Sequence, residues 1–186
     1  MIKKLFRFIF GVLALAGAGL AIYMMMNPLL TSTFEKSGIG TSYTLFVSGF
    51  VLAFGGKATA EYRILSGDIN KVEDAGTIEA HTAALILFII LVVAATLSLA
   101  LFLFSFAKGA KGVKRGLGFL CFLAFIGAAV LFFLSKQLYV DIAEFTILGN
   151  TIDFSENLTL ANGAIIGGVS SAVAGVTIAI SSLMSD

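Results

Sequence analysis

The residues that could support acid–base or metal chemistry are few in this chain, and the single histidine comes first. His81 lies two residues after Glu79, and an imidazole beside a carboxylate is a pairing found in metal sites and proton-transfer sites. A zinc site needs three or four ligands, but the sequence has no second histidine. We therefore expect no metal site and no catalytic residues, and interpret His81 and Glu79 as polar anchors at the start of a helix.

The only cysteine, Cys121, lies in the middle of a long apolar run. A single thiol cannot form a disulfide within the chain, and a thiol inside an apolar helix usually serves as a small apolar side chain. The sequence also has no nucleophile elbow, no paired zinc histidines and no Gly-rich phosphate loop that follows a strand. These observations predict a protein that is not an enzyme and that holds no cofactor.

Four long apolar runs dominate the sequence and would position whatever chemistry it carries. They cover residues 8–26, 82–107, 116–135 and 163–184, and none contains Asp, Glu, Lys, Arg or His. A helix needs about 20 apolar residues to cross the hydrocarbon core of a bilayer. Each run therefore predicts a transmembrane helix. Because ionisable groups inside a membrane usually mark a pump or a proton pathway, their absence argues against both.

The charge of the connecting segments predicts how the helices are oriented. Lys3, Lys4 and Arg7 precede the first run without any acid, whereas loops 27–80 and 136–162 carry more acids than bases. The segment between the second and third runs is also purely basic, with Lys108, Lys111, Lys114 and Arg115. Since cationic segments stay in the cytoplasm, we expect both termini inside the cell and both larger loops outside. The four bases are candidate contacts for anionic lipid headgroups.

The first run has an alternative interpretation as a secretory signal. Three bases precede an apolar stretch that reaches Ala16-Gly17-Ala18, a match to the small residues at a signal cleavage site. The apolar run continues to Met26 and is long enough to span the membrane. We therefore interpret it as an uncleaved first helix, with cleavage as the alternative.

Small residues recur every four positions in the last run. This set, called the glycine ridge below, consists of Gly163, Gly167, Ser171, Gly175 and Ala179. A spacing of four places them on one face of a helix, where small side chains let another helix approach closely within lipid. We expect the first and fourth helices to pack closely, either on each other or on a partner's helix.

The same run carries several hydroxyl groups, which belong to Ser170, Ser171, Thr177, Ser181 and Ser182. Together they could line a polar path through the membrane. The alternative is that each hydroxyl bonds to a carbonyl of its own helix one turn earlier. We favour the second interpretation.

The two larger loops show strand patterns. Residues 57–64 alternate strictly between polar and apolar, which is typical of a half-buried strand. Tyr43–Val47 and Phe50–Phe54 flank Ser48-Gly49 and predict a hairpin, with a re-entrant or interfacial helix as the alternative. The polar segment Asp68–Ala75 predicts a short helix or a turn, and Thr77 is the expected N-cap of the second long helix.

In the second loop, Phe145–Leu148 and Thr151–Phe154 flank Gly149-Asn150, a pair that favours a tight turn. Strands beside a bilayer must pair, because unpaired backbone groups are costly to bury. We therefore expect one small sheet that draws strands from both loops. The sequon Asn157-Leu158-Thr159 falls in the same loop, but its position close to the fourth run gives it little weight.

In plan, the chain resembles the claudin and peripheral-myelin-protein group of tetraspan proteins. The shared features are four spans, cytoplasmic termini, a first outer loop of about fifty residues with strands, and a shorter second outer loop. The resemblance implies an outer sheet that mediates adhesion or assembly. The outer-loop signature of that group, with its tryptophans and paired cysteines, is not present, since the chain has no Trp and one Cys.

The sequence as a whole predicts an antiparallel bundle of four transmembrane helices with a small extracytoplasmic β-sheet. We expect a non-enzymatic protein of the plasma membrane with a structural, adhesion or assembly role. Its partners would be the lipid bilayer and other membrane proteins or a second copy of the chain. The alternative is a small transporter, a channel or an accessory subunit of a transport complex. The net charge of +1 gives no reason to expect binding to nucleic acid.

Overall fold

The structure, a computed structural model, describes residues 2–36, 41–63, 69–104, 109, 111–139, 144–147, 150–153 and 157–184. Its helices are α1 (Ile2–Met24), α2 (Gly49–Phe54), α3 (Thr82–Phe104), α4 (Lys111–Phe133), α5 (Ser135–Leu138) and α6 (Asn162–Leu183). Its strands are β1 (Pro28–Lys36), β2 (Thr41–Ser48), β3 (Gly56–Arg63), β4 (Ile69–Ile78), β5 (Glu144–Ile147), β6 (Asn150–Asp153) and β7 (Leu158–Leu160). The fold is mostly helical, with a small antiparallel sheet.

Four helices, α1, α3, α4 and α6, are long and apolar enough to cross a membrane, as the four apolar runs predicted. Two of them begin five or more residues earlier than the runs do. α1 begins at Ile2 rather than at residue 8, and α4 begins at Lys111 rather than at residue 116. Hydropathy ends a run at the first charged residue, but Lys and Arg are good helix formers whose long side chains reach polar surroundings from inside a helix.

The chain divides into two compact units, and the first consists of residues 1–23, 87–132 and 166–186. It contains most of the four long helices. In α6, 56% of the apolar stretch is buried inside the protein, against 28% for α1, 28% for α3 and 33% for α4. The outward surfaces of this unit carry large exposed apolar side chains, among them Ile9, Leu13, Ile89 and Leu123. Its interior is therefore organised around α6.

The second unit consists of residues 24–86 and 133–165 and contains every described strand. Its five-stranded antiparallel sheet has the order β4-β3-β2-β1-β7. Strand β7 comes from the second loop, so the prediction of one sheet fed by both loops is confirmed for this sheet. Strands β5 and β6 pair with each other as a separate two-stranded sheet, as the apolar segments of the second loop predicted. The predicted turn is wrong at Asn150, which is the first residue of β6 and pairs with Ile147, and Leu148 and Gly149 lie outside the described residues.

The two faces of the five-stranded sheet differ in burial. On β3, Ala58 and Ala60 are buried and Lys57 and Thr59 are exposed, as the alternation of residues 57–64 predicted. The buried face continues onto the neighbouring strands through the pairs Ala60↔Leu45, Ser32↔Leu45 and Leu30↔Val47. The opposite face of the sheet is therefore the polar one.

The segment predicted as a hairpin over residues 43–55 has a different structure. Its first apolar part lies in β2, but Phe50–Phe54 lies in α2, so the second half is a helix, as in the alternative interpretation, and not a strand. The Val51 backbone N–H donates to the Ser48 hydroxyl at 3.3 Å, which caps the first turn of the helix. Gly55 ends α2 with a φ of 76°, a left-handed value that favours glycine.

Two further local predictions were wrong. Residues 69–75, expected as a helix or turn, belong to β4, and Thr77 is a strand residue rather than a helix cap. The backbone of β3 explains the difference. Strand β2 lies on one side of β3, and β4 pairs with β3 on the other side, from Gly56↔Ile78 to Arg63↔Ile69. Without β4, the backbone N–H and C=O groups on that side of β3 would have no strand partner.

Candidate functional site

The glycine ridge of α6 lies against α4 in the first unit. A Cβ atom placed on Gly167 would lie 2.7 Å from the Phe132 ring, and one on Gly175 would lie 3.1 Å from the Phe125 Cβ and 3.3 Å from the Phe122 carbonyl oxygen. Real Cβ atoms rarely come this close to other atoms. The glycines therefore let the backbones of α4 and α6 approach closely, and the phenylalanine rings of α4 fill the space that side chains would occupy.

The other ridge residues have different surroundings. Ser171 is fully buried, and its hydroxyl has no hydrogen-bond partner among the described residues. Ala179 is partly exposed. Gly163 belongs to the second unit, where an added Cβ would collide with the carbonyl groups of Pro28 and Asn27. The five ridge residues therefore do not share one neighbour.

The first and last long helices also touch within this one chain. A Cβ atom on Gly17 of α1 would lie 3.0 Å from the Ser170 carbonyl oxygen and 3.1 Å from the Ala174 Cβ. Ser170 and Ala174 are not members of the glycine ridge; they lie on another side of α6. α6 therefore presents two sets of small residues, one to α4 and one to α1.

Most hydroxyl groups of α6 bond to carbonyls of the same helix. Ser170 donates to the Ile166 carbonyl at 2.6 Å, and Thr177 donates to the Val173 carbonyl at 2.7 Å. Ser182 donates to a carbonyl three residues earlier at 2.8 Å. The interpretation that each hydroxyl bonds to its own helix therefore holds for these three groups. It is wrong for Ser181, whose hydroxyl donates to the Arg7 carbonyl of α1 at 3.2 Å, and for Ser171, whose hydroxyl has no hydrogen-bond partner among the described residues.

The four bases proposed as lipid contacts have unlike environments. Lys111 and Arg115 are exposed, whereas Lys114 is only 5% exposed. Lys108 lies outside the described residues. The sequence predicts that the four bases form one surface cluster, and this is wrong for Lys114. The helical periodicity of α4 places Lys114 on the same buried face as Gly118, one turn later.

His81 connects three elements of the second unit. Its Nδ1 accepts a hydrogen bond from the Ala83 N–H at 3.3 Å, so it caps α3 in the role expected of Thr77. Its own N–H donates to the Leu52 carbonyl of α2 at 2.7 Å. Its ring meets the Tyr139 ring edge-on at 4.9 Å between centroids. No group of three metal-binding side chains occurs within the described ranges, so this geometry is that of a structural junction.

Tyr139 is the largest fully buried side chain in the described part of the protein, with 1% of its surface exposed. Its hydroxyl has no hydrogen-bond partner there. Burial raises the pKa of Tyr139 to about 12, because the phenolate would lose its hydration. Tyr139 is therefore uncharged at neutral pH and acts through its ring.

The polar side of the five-stranded sheet forms a regular surface in the second unit. We name it the threonine face and define it by Thr31, Thr33, Thr44, Phe46, Thr59 and Thr159, which the strand register places on one side. The Thr33 and Thr44 hydroxyl oxygens lie 3.2 Å apart, and the Thr159 hydroxyl donates to the Thr31 carbonyl at 3.0 Å.

Charged residues of β3 extend the threonine face. Lys57 and Arg63 are exposed on the same side of the strand as Thr59, and Glu61 lies between them, partly buried. Hydroxyls, charges and one aromatic ring can form hydrogen bonds and stacking contacts with another molecule. The sequence pattern indicated only the β3 part of this surface, because β1 and β7 and the pairing between strands carry no comparable signal.

A scan against models of known protein families finds no match to this chain, and a search of characterised proteins finds none either. The claudin-like plan therefore remains a prediction from topology.

Proposed function

We propose that this chain is a non-enzymatic integral protein of the cell membrane that serves assembly or adhesion, with the threonine face as its interaction surface. The observation that carries the proposal is the contrast between the two sides of the sheet. Residues such as Thr33, Thr59 and Thr159 are exposed, whereas Leu45 and Ala60 on the reverse side are 1% exposed. A sheet surface that combines hydroxyls, charged groups and an aromatic ring offers the hydrogen-bonding and apolar groups that non-obligate protein interfaces use.

The proposed orientation places both termini in the cytoplasm. α1 and α4 begin with Lys and Arg and have no acidic residue in their first turns, which favours retention of these ends inside the cell. The segments that hold the described strands connect the opposite ends of the long helices. With four spans, both segments then lie outside the cell.

The glycine ridge supports the choice of the sheet as the interaction surface. Gly167 and Gly175 already contact α4, and Gly17 of α1 already contacts α6. These small-residue faces therefore stabilise the chain itself and are not available to a partner's helix in this arrangement.

A transport role has less support. Coupled transporters commonly use a buried carboxylate or a broken helix within the membrane. The described stretches of the four long helices contain no Asp or Glu, and the hydroxyls of Ser170 and Thr177 bond to their own helix.

Cysteine labelling tests the proposed orientation. Single cysteines replace Lys57 or Lys111, both exposed, in a chain whose buried Cys121 is changed to Ala. A membrane-impermeant maleimide should label position 57 in intact cells and position 111 only after permeabilisation. The reverse pattern would contradict the orientation.

Site-specific photocrosslinking tests the interaction surface. A photoreactive residue at Thr33 should form a discrete adduct in intact cells, and Thr59→Arg should reduce the yield of that adduct. Thr82→Arg is the matched control, because Thr82 is also an exposed threonine but lies in α3 rather than on the sheet. An adduct of twice the mass of the chain would identify the partner as a second copy. An adduct that responds equally to both substitutions, or no adduct at all, would refute the threonine face as the interaction surface.

A further inference from the structure

The short helix α2 presents two aromatic rings on the surface of the second unit. Phe50 is 44% exposed and Phe54 is 47% exposed, and their ring centroids lie 4.7 Å apart. Residues four positions apart are neighbours on one side of a helix. The two rings therefore form one aromatic patch, and nearly half of each side chain lies outside the protein.

The rest of α2 is apolar as well. All six of its residues are apolar, and Gly49, Leu52 and Ala53 are buried. A helix at the surface of a water-soluble domain normally carries polar residues opposite its buried face, whereas one that is apolar all round is surrounded by apolar material. The composition of α2 therefore suits a position with protein on one side and hydrocarbon on the other.

Backbone hydrogen bonds hold α2 beside the ends of two long helices. The Phe50 N–H donates at 2.7 Å to the carbonyl of Met25, the residue that follows α1. On the other side, the N–H of His81, the residue that precedes α3, donates at 2.7 Å to the Leu52 carbonyl. All four residues belong to the second unit. α2 is therefore attached at the points where α1 ends and α3 begins.

Both of these helix ends expose apolar side chains of their own. Met26, two residues after α1, is 65% exposed. Ile86, in the second turn of α3, is 47% exposed and belongs to a helix that is long and apolar enough to cross a membrane. A bilayer that covers these side chains would also reach α2, which is bonded to the same two chain segments.

Close packing keeps the aromatic patch on the outside. A Cβ atom on Gly49 would lie 2.6 Å from the Leu29 Cδ1 and 2.8 Å from the Met25 Sδ. The buried side of α2 is therefore in tight contact with the residues after α1. A rotation of α2 that turned Phe50 and Phe54 inward would have to displace these side chains.

We propose that α2 is an interfacial anchor, whose Phe50 and Phe54 rings insert into the outer leaflet at the boundary between headgroups and acyl chains. This inference rests on the proposed function, which places the long helices in the membrane and the strands outside the cell. Helices that present Phe or Leu on one face bind lipid at this depth. Lipid is the occupant that the position of α2 favours, because both helix ends bonded to it would leave the bilayer there.

Tryptophan fluorescence provides the test, because the chain has no tryptophan of its own. The full-length Phe54→Trp variant is reconstituted in phosphatidylcholine vesicles whose acyl chains carry bromine either near the glycerol end or near the methyl end. Bromine quenches tryptophan fluorescence on contact. We expect a larger loss of fluorescence with bromine near the glycerol end, and the same order for Phe50→Trp, which supplies a second reporter if the first variant folds poorly.

Two exposed positions calibrate the depth. Ile89 is 51% exposed and lies seven residues after the start of α3 at Thr82, about 10 Å along the helix. Ile89→Trp should therefore lose more fluorescence with bromine near the methyl end than Phe54→Trp does. Arg63 is exposed at the end of β3, and Arg63→Trp should lose little with either lipid. Equal quenching at positions 54 and 63 would overturn the proposal.

The emission wavelength identifies what covers the patch if lipid does not. An unquenched Trp at position 54 that emits at long wavelength would lie in water, and one that emits at short wavelength would be covered by protein, such as a second copy of the chain. Either result refutes the interfacial anchor. If Ile89→Trp is quenched in the same vesicles, the proposed membrane insertion still holds, whereas an unquenched Ile89→Trp would refute the proposed function as well.

Discussion

The helix α6 and the five-stranded sheet reach specific packing by opposite means. On α6, the positions that contact neighbours are small residues, and Gly167 and Gly175 leave room for the Phe132 ring and the Phe125 Cβ. In the sheet, paired backbones fix the register, and the alternation of Ala60 with Thr59 decides which side is buried. A helix forms its backbone hydrogen bonds within itself, so the fit between side chains determines how it packs against other helices. A strand forms its backbone hydrogen bonds with neighbouring strands, so strand pairing comes before side-chain packing.

This difference indicates where each region tolerates change. We expect larger side chains on the contact faces of α6 to destabilise the protein whether they are polar or apolar. In the sheet, we expect substitutions on the exposed side to change stability little and polar substitutions on the buried side to destabilise it, so adjacent residues of one strand should differ.

The largest expected effect comes from adding volume to α6. Gly175→Leu forces the side chain against the Phe125 Cβ and the Phe122 carbonyl and should reduce the free energy of unfolding by about 3 kcal/mol or more. Gly127→Leu is the control, because a Cβ there would have no atom within 4 Å. Thermal unfolding of the detergent-solubilised protein measures both. Equal melting temperatures would show that the α4–α6 contact is not close.

Two adjacent sheet residues provide the next test. Ala60→Lys places an amine on the buried side of β3 and should cost about 2–3 kcal/mol of unfolding free energy. Thr59→Lys changes the exposed side and should stay within about 0.5 kcal/mol of the wild type. Thermal unfolding again supplies the measurement. Similar losses from both substitutions would contradict the assignment of the two faces.

High pH should weaken the second unit through Tyr139. Its pKa of about 12 in the folded protein exceeds the value near 10 of an unfolded tyrosine. Below pH 10 the residue is neutral in both states, and between pH 10 and 12 only the unfolded state ionises. The free energy of unfolding should therefore fall in this range, by about 1 kcal/mol at pH 11. Tyr139→Phe should lack this part of the decrease, and identical pH profiles for the two proteins would count against a buried phenol.

The smallest effect should come from the helix caps. His81→Ala removes the acceptor for the Ala83 N–H and should cost about 1 kcal/mol. His81→Asn restores a capping side chain and should recover part of that loss, although the ring contact with Tyr139 is also removed. An equal loss of unfolding free energy in both variants would show that the ring contact between His81 and Tyr139, and not the cap, accounts for the effect.

The sequence predicted features that depend on a single segment. Apolar runs identified the four long helices, because twenty apolar residues have few other structures available to them. Alternation identified β3, and the apolar segments of the second loop identified the pairing of β5 with β6, although Asn150 pairs with Ile147 as a strand residue instead of forming the turn. Each of these patterns is set by local geometry and burial.

The missed features depend on a neighbour. Strand β1 contains two consecutive buried leucines, Leu29 and Leu30, beside an irregularity in its pairing with β2, which hides the alternation. Strand β7 has three residues and is defined by its pairing with β1. The burial of Lys114 could not be predicted either, since a basic residue at a helix end is exposed or buried depending on which helix packs against it.

The pairing of β1 with β7 joins segments that are far apart in the chain. Leu30 pairs with Leu160, and the Ala161 N–H donates to the Leu29 carbonyl at 2.9 Å. During synthesis, β1 leaves the ribosome long before β7 exists, so one edge of the sheet stays open until residues 158–160 have been made. A chain truncated before residue 157 would keep that edge exposed, which gives cellular proteases a means to distinguish unfinished copies from finished ones.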